Sequence, residues 1–425
     1  MAALDRIRSL SETDPPGWEV LEIDESFDFL QNNTYSRGCL NPSTGLVNNI
    51  HYGDVLIKYG SVLDCDNEAI PFINPEIEIE TKNRLVQDGD VIIADTAEDI
   101  TVGKATEVFN VRDRKIVSGL HTILIRPKPS LFSKLFLGYF LNSCIFHDQL
   151  LPFIVGTKVS SISRGTLRET LVYRPPIKEQ EIIVSTLLDM DGYISELKKL
   201  IEKKQNVKKG VMQGLLTGKY RLPGFQGEWV GRSLGELVPN LQMGQSPNSR
   251  FYNSETIGLP LIQGNADIED RKTMIRNYTS QITKTAKVGD YVMTVRAPVG
   301  NIAKVTFDCC LGRGVCGFSY PNDYLYHWFV FNESSWKSLS TGSTFDSISG
   351  DQLREVVLRL PQEESEQISI ATILSDIDSE IAILSEKIIK LVQLKQGMMQ
   401  VLLTGRIRLV GDGEIRPTAN SGAAC

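Results

Sequence analysis

Apolar residues recur at alternating steps of three and four along two stretches of the chain. In the first they fall at Leu187, Met190, Ile194, Leu197, Ile201, Val211 and Leu215. In the second they fall at Leu374, Ile377, Ile381, Leu384, Ile388, Leu391, Met398 and Leu402. That spacing is the seam of a coiled coil. Pro175 and Pro176 stand before the first stretch and Pro361 before the second. Thr217-Gly218 and Thr404-Gly405 close them, with glycine placed for a left-handed helix cap. Each helix is expected to run about 38 residues, roughly 57 Å. Lys208 and Lys395 occupy equivalent seam positions, and Lys204 also interrupts the first seam. Such lysines either fix register or partner, or snorkel out to water.

The two stretches belong to an internal repeat. Gly156 onward reads GTKVSSISRGTLRETLVYRPP, and Gly342 onward reads GSTFDSISGDQLREVVLRLPQ, an offset of 186. One extra residue makes the offset 187 through Gln180 and Gln367, Asp191 and Asp378, and QGLLTGKYRL and QVLLTGRIRL. The segments between, roughly 18–176 and 223–361, read as divergent copies of one unit. Val86 to Ile93 answers Ala286 to Met293, a Gly-Asp turn entering a buried strand. Val55-Leu56-Ile57 is set against Pro260-Leu261-Ile262, and each unit is expected to hold one short amphipathic helix, Leu135–Phe146 or Tyr324–Trp336. Many short strands with few helices predict a mixed α/β unit round a curved sheet.

Composition adds constraints. Hydrophobic residues make up 41% and charged residues 23%, as in ordinary globular domains. No apolar run is long enough to span a membrane. The start has no signal-like apolar core. Seven scattered cysteines without a C-x-x-C pair point to a reducing cytoplasm. The net charge of −7 argues against a stand-alone nucleic-acid binder, whose affinity rests on neutralising phosphates. The charge is uneven: acidic residues dominate the first unit, while 177–222 is net basic. The inter-strand loops nevertheless carry the side chains that read base edges and hold phosphates. In the first unit these are Asn33, Thr34, Tyr35, Arg37, Lys58, Tyr59 and Lys158. In the second they are Gln245, Ser246, Gln263, Asn265, Arg296, Arg313 and Thr344.

Three patterns imitate catalytic motifs. Gly312-Arg313-Gly314-Val315-Cys316-Gly317 fits G-x-G-x-x-G, but FSYPND follows where a dinucleotide fold needs a helix. Asp14-Pro15-Pro16-Gly17 resembles an amino-methyltransferase loop, with its aromatic, Trp18, one position late. Gly214 to Lys219 is one residue short of a phosphate loop. The histidines, His51, His121, His147 and His327, have no metal-ligand spacing, and no Ser/His/Asp set stands out.

The order of unit, long helix, unit, long helix resembles the specificity subunits of type I restriction-modification enzymes. The resemblance is carried by the G-[ST]-x-x-x-[SD]-I close of each unit, the Glu179-Gln180 and Glu366-Gln367 pairs, and the L-L-T-G-[KR] helix ends. It implies an α+β fold with two mixed α/β target-recognition domains separated by two long antiparallel coiled-coil helices in a pseudo-two-fold repeat. The expected partition is 1–176 and 223–361 for the recognition domains, 177–222 and 362–409 for the helical spacers, and 410–425 for a disordered tail. Each domain would read half of a split target in double-stranded DNA, and the helices would set the spacer. Methyltransferase subunits would dock on the helical regions, joined by a restriction and translocase subunit. S-adenosylmethionine, ATP and Mg would belong to those partners, with no cofactor and no catalysis in this chain. The alternatives are a coiled-coil scaffold without a nucleic-acid role and a self-contained DNA methyltransferase.

Overall fold

A computed structural model describes residues 17–79, 85–156, 159–336, 347–410 and 414–417. The chain divides into two units, Met1–Glu196 with Ile389–Cys425, and Leu197–Ile388. The boundary falls inside both long helices, Ile177–Leu215 and Glu364–Leu402, each 39 residues long. Among the described residues no helix is long and apolar enough to cross a membrane. Every expected seam residue is buried or half-buried, and none is exposed. The helices end as their glycines require, with Gly218 at φ 71° and Gly405 at φ 67°.

Within each unit the two helices run antiparallel. In the first unit Lys395 Nζ donates to Asp191 Oδ1 and Oδ2 at 2.5 and 2.7 Å. In the second, Lys208 Nζ donates to Asp378 Oδ1 at 2.5 Å, and Lys204 pairs with Glu380. The Lys208 and Lys395 side chains are only 15% and 16% exposed, so they do not snorkel. They lie in the seam against aspartates that are themselves equivalent in the repeat. Each pair also meets its own globular layer. Tyr139 donates its hydroxyl to Asp191 at 2.8 Å, and His327 Nδ1 lies 3.9 Å from Asp378 Oδ2.

A second pair of contacts joins the start of one helix to the segment after the other. Arg408 Nε and Nη2 donate to both oxygens of Glu179, each at 2.6 Å, while Trp18 Nε1 donates to Glu179 Oε2 at 3.2 Å. In the second unit Arg221 Nε and Nη2 donate to Glu366 at 2.7 and 2.8 Å. The guanidinium carbons lie 5.7 and 5.9 Å from the ring centres of Trp18 and Trp229. Bidentate geometry and burial make these strong, charge-assisted bonds. The neighbouring glutamines fix the helix starts. Gln180 donates to the Pro175 carbonyl and Gln367 to that of Pro361, both at 2.8 Å.

Each unit is built round a mainly antiparallel sheet, in which Val62–Asp64 of the first unit pairs parallel with Ala105–Phe109. In the first unit its order is Phe27–Leu30, Thr122–Pro127, Val91–Ala94, Ala105–Phe109, Val62–Asp64. In the second, Gln242–Met243, Val315–Phe318, Tyr291–Thr294 and Ile302–Lys304 repeat the first four places. A parallel pair lies alongside: Asn48–Ile50 with Ile116–Ser118, and Leu259–Ile262 with Cys309–Leu311. The Gly-Asp turns before Val91 and Tyr291 have Gly89 and Gly289 at φ 88° and 93°. A capping box on Ser163 and another on Ser349 start the short helices Arg164–Arg168 and Gly350–Glu355.

The structure corrects four expectations. Val55-Leu56-Ile57 is not a strand but part of the helix Tyr52–Ile57, whose first turn His51 caps. The counterpart of Leu261-Ile262 is Asn49-Ile50. The expected helix over Leu135–Phe146 is two, Phe136–Phe140 and Cys144–Leu150. Ser143 Oγ bonds back to the Phe140 carbonyl and ends the first. The expected helix to Trp336 stops at Phe331 and passes into a 3₁₀ turn, Glu333–Ser335. In the tail, Glu414–Pro417 pairs antiparallel with Ile407–Val410.

Two consequences are measurable. Arg221→Met leaves the Glu366 carboxylate, 1% exposed, without its cation. It is expected to cost about 3–5 kcal/mol in urea unfolding, with much of this regained in Arg221→Met/Glu366→Leu. The second concerns acid. Burial first, and then Lys208, lower the His327 imidazole from 6.5 to about 4. Its contribution to stability is complete above pH 6.5 and is lost as the pH falls through 4, by about 3 kcal/mol at that point. His327→Gln is expected to flatten this part of the pH dependence of unfolding, followed by tryptophan emission.

Candidate nucleic-acid interface

In the second unit, four loops meet beyond the carboxyl ends of the parallel pair, where open α/β sheets place ligands. The centre is the turn Gly312-Arg313-Gly314 between Cys309–Leu311 and Val315–Phe318. Main-chain bonds hold it from three sides. Gly312 N donates to the Ile262 carbonyl at 2.8 Å, Gln245 N to that of Leu311 at 2.8 Å, and Val295 N to that of Gly314 at 2.9 Å. The glycines permit this approach. A Cβ on Gly314 would collide with the Gln263 carbonyl, and one on Gly244 with that of Gly312. The G-x-G-x-x-G pattern is therefore a strand-to-strand turn that packs loops together.

This turn gathers the predicted residues of the second unit. Arg313 and Arg296 are exposed, and neither side chain has a partner among the described residues. Ser246 Oγ accepts from Arg313 N at 3.1 Å, and Gln245 beside it is exposed. Gln263 Nε2 donates to Tyr252 at 2.8 Å, and Asn265 Oδ1 accepts from Asn301 at 2.6 Å. Thr344 lies outside the described residues.

The first unit has the same skeleton. Gly119 N donates to the Ile50 carbonyl at 2.8 Å, Asn33 N to that of Ser118 at 2.9 Å, and Asp95 N to that of His121 at 3.1 Å. The Ser-Ile-Ser signature closes both. Ile162 N donates to the Asp95 carbonyl and Ile348 N to the Val295 carbonyl, at 2.9 and 3.0 Å. These bonds place Asn33 on Gln245, His51 on Gln263, Thr96 on Arg296, Leu120 on Arg313 and His121 on Gly314.

The predicted residues of the first unit fare unevenly. Asn33 is buried, and its amide donates to Asn49 and the Ser118 carbonyl at 2.6 and 2.9 Å, so it holds loops and offers no edge to a ligand. Tyr59 is likewise a core residue, 2% exposed, with its phenol pKa pushed up by burial. Both are withdrawn from the candidate surface. Arg37 is exposed, but both guanidinium arms engage Asp54 at 2.5 and 2.9 Å. Lys58 donates to the Ala69 carbonyl, Tyr35 to that of Glu78, and Thr34 is exposed. Lys158 lies outside the described residues. Sequence reading missed Thr96 and His121. Carrying the Gly-Asp alignment a few residues past the strand would have set Thr96 against Arg296.

Comparison with known proteins places this architecture. The family model described as the type I restriction modification DNA specificity domain matches twice, over residues 15–209 and 226–393. A chain named as the MjaX type I restriction enzyme specificity subunit of Methanocaldococcus jannaschii is 28% identical, covering 93% of this chain and 95% of that one. The MjaVIII specificity subunit of the same organism is 24% identical over 78% of this chain and 82% of its own. A chain from a structural study of type I R-M complex assembly has a TM-score of 0.61 at 24% identity, covering 92% and 98%. The type I restriction-modification S subunit of M. genitalium has a TM-score of 0.56 at 15% identity, covering 92% and 99%. With one family match on each half of the repeat, this chain belongs to the type I restriction modification DNA specificity domain family.

Proposed function

We propose that this chain is the non-catalytic specificity subunit of a type I restriction-modification complex, each unit reading one half of a bipartite DNA target. The observation that carries the reading is the repeated loop skeleton. Two units hold one turn with the same main-chain bonds, yet they present different side chains on it. A scaffold or enzyme would have no use for such duplication with variation, whereas a reader of two unlike half-sites needs it. Arginine and glutamine at the second turn are the types that engage guanine and adenine edges.

The helices act as the ruler. They are equal in length, and in each unit they are locked antiparallel by Lys–Asp and Arg–Glu pairs. Methyltransferase subunits dock on the helical regions and carry S-adenosylmethionine, while a restriction and translocase subunit brings ATP and Mg. Leu200 and Val207, exposed seven residues apart on the first long helix, support a protein partner there. Partners that embrace the duplex also answer the net charge of −7, since they would add phosphate contacts to those of this acidic chain. The free cysteines fit a cytoplasmic location.

Deleting seven residues in step from both helices tests the ruler. The rise lost is about 10 Å, or roughly three base pairs of spacer. Mapping modified adenines across a host genome is expected to return both half-sites intact with the shorter gap; altered half-sites would refute the ruler. Arg313→Ala is expected to relax one base pair of the second half-site by about 1–3 kcal/mol. An equal loss on every sequence would assign Arg313 to phosphate contact.

A further inference from the structure

The first unit carries a built hydrogen-bonding device where the second has a bare turn. His121 occupies the place of Gly314, and its backbone is left-handed, φ 55°. That conformation is unfavourable for a residue with a side chain, though His, Asn and Asp adopt it more readily than most. The turn thereby places an imidazole in space that a Cβ on Gly314 could not enter. The side chain is 47% exposed and held from three directions. The Tyr52 ring meets it edge-on with centroids 5.4 Å apart. Nδ1 lies 3.3 Å from Asp95 Oδ1 and 3.3 Å from Thr96 Oγ1.

The network sets the tautomer. Thr96 uses its only hydroxyl proton on Asp95 Oδ1, at 2.8 Å. Toward His121 it can therefore only accept, and the carboxylate can only accept as well. Nδ1 must carry the proton. In the neutral ring that leaves Nε2 as a lone-pair acceptor, and Nε2 has no partner among the described residues.

We propose that His121 is a specificity-determining residue of the first unit, its Nε2 accepting a hydrogen bond from an exocyclic amino group on a base edge in the major groove. Only adenine N6 and cytosine N4 offer that donor there. Asp95, Thr96 and Tyr52 are positioning residues that fix the ring and its tautomer. The inference rests on the reading of this turn as the DNA-facing edge of each unit.

The test uses the full chain assembled with the methyltransferase subunits of its own system, on duplexes carrying the mapped target. Each base of the first half-site is replaced in turn by an analogue without the amino group, purine for adenine and pyrimidin-2-one for cytosine. At one position the wild-type complex is expected to lose about tenfold in affinity. His121→Gly, which suits a left-handed backbone and keeps the turn folded, should become indifferent at that position and leave the second half-site unchanged. His121→Asn, which also tolerates this backbone and retains an acceptor, should recover part of the discrimination. The position at which sensitivity disappears tells adenine from cytosine. Full first-half-site discrimination by His121→Gly overturns the inference, as does an equal loss on all sequences. Arg313→Ala separates the two layers of argument. If it relaxes the second half-site while His121→Gly changes nothing, only the role of His121 falls. If neither variant changes recognition, the DNA-facing reading of the turn falls with it.

Discussion

The fold depends on a buried guanidinium–carboxylate pair that each unit borrows across the repeat. Glu179 begins the first long helix and finds its cation at Arg408, beyond the end of the second. Glu366 begins the second helix and finds Arg221, just beyond the end of the first. A buried carboxylate is costly without its partner, so neither helix start is satisfied by its own copy of the sequence. The antiparallel course follows from this demand. The tryptophan that lies against each pair, Trp18 or Trp229, adjoins the edge ribbon that closes its globular unit. One electrostatic requirement thus ties together helix register, helix direction and domain closure.

The Lys–Asp pairs of the seam add a second constraint of the same kind. An apolar residue at position 208 or 395 would pack without preference for one heptad over the next. A lysine in a seam has a single low-energy register, the one that brings it to aspartate. Tyr139 then fastens Asp191 to its globular layer, and His327 Nε2 ties the second helix to its own layer through Ser375 Oγ at 2.9 Å. The helices therefore carry information about phase as well as length.

Much of this was legible in the sequence, for physical reasons. The heptad seam is local, so Leu187 to Leu215 and Leu374 to Leu402 could be read directly. The glycine caps, the Glu-Gln pairs and the Ser-Ile-Ser signature repeat at fixed offsets, and all three have structural work in both copies. The strand map was harder. Val55-Leu56-Ile57 has the composition of a strand but forms a helix, because His51 caps its first turn and tertiary packing overrides propensity. Site residues were the least legible. Asn33 and Arg313 are both polar loop residues, and only the three-dimensional bonds reveal that one faces inward and the other outward. The role of Lys208 and Lys395 likewise needed the facing helix, since nothing local separates a paired lysine from a snorkelling one.

The turn after the parallel strand is secured in both units by one shared set of peptide groups. Gly119 and Gly312, Asp95 and Val295, and Ile162 and Ile348 make the same bonds whichever side chains ride above them. The atoms that hold the loop are thereby distinct from the side chains it displays. Arg313, Arg296, Thr96 and His121 can therefore change without disturbing the cores beneath, and under the proposed reading a new target lies a few point substitutions away. The paired glutamates and arginines of the helices have no such freedom, because each change there strands a charge in the half of the molecule that its sequence neighbours do not build. Drift is expected to be fast on the exposed edge of the turn and slow along the paired helices.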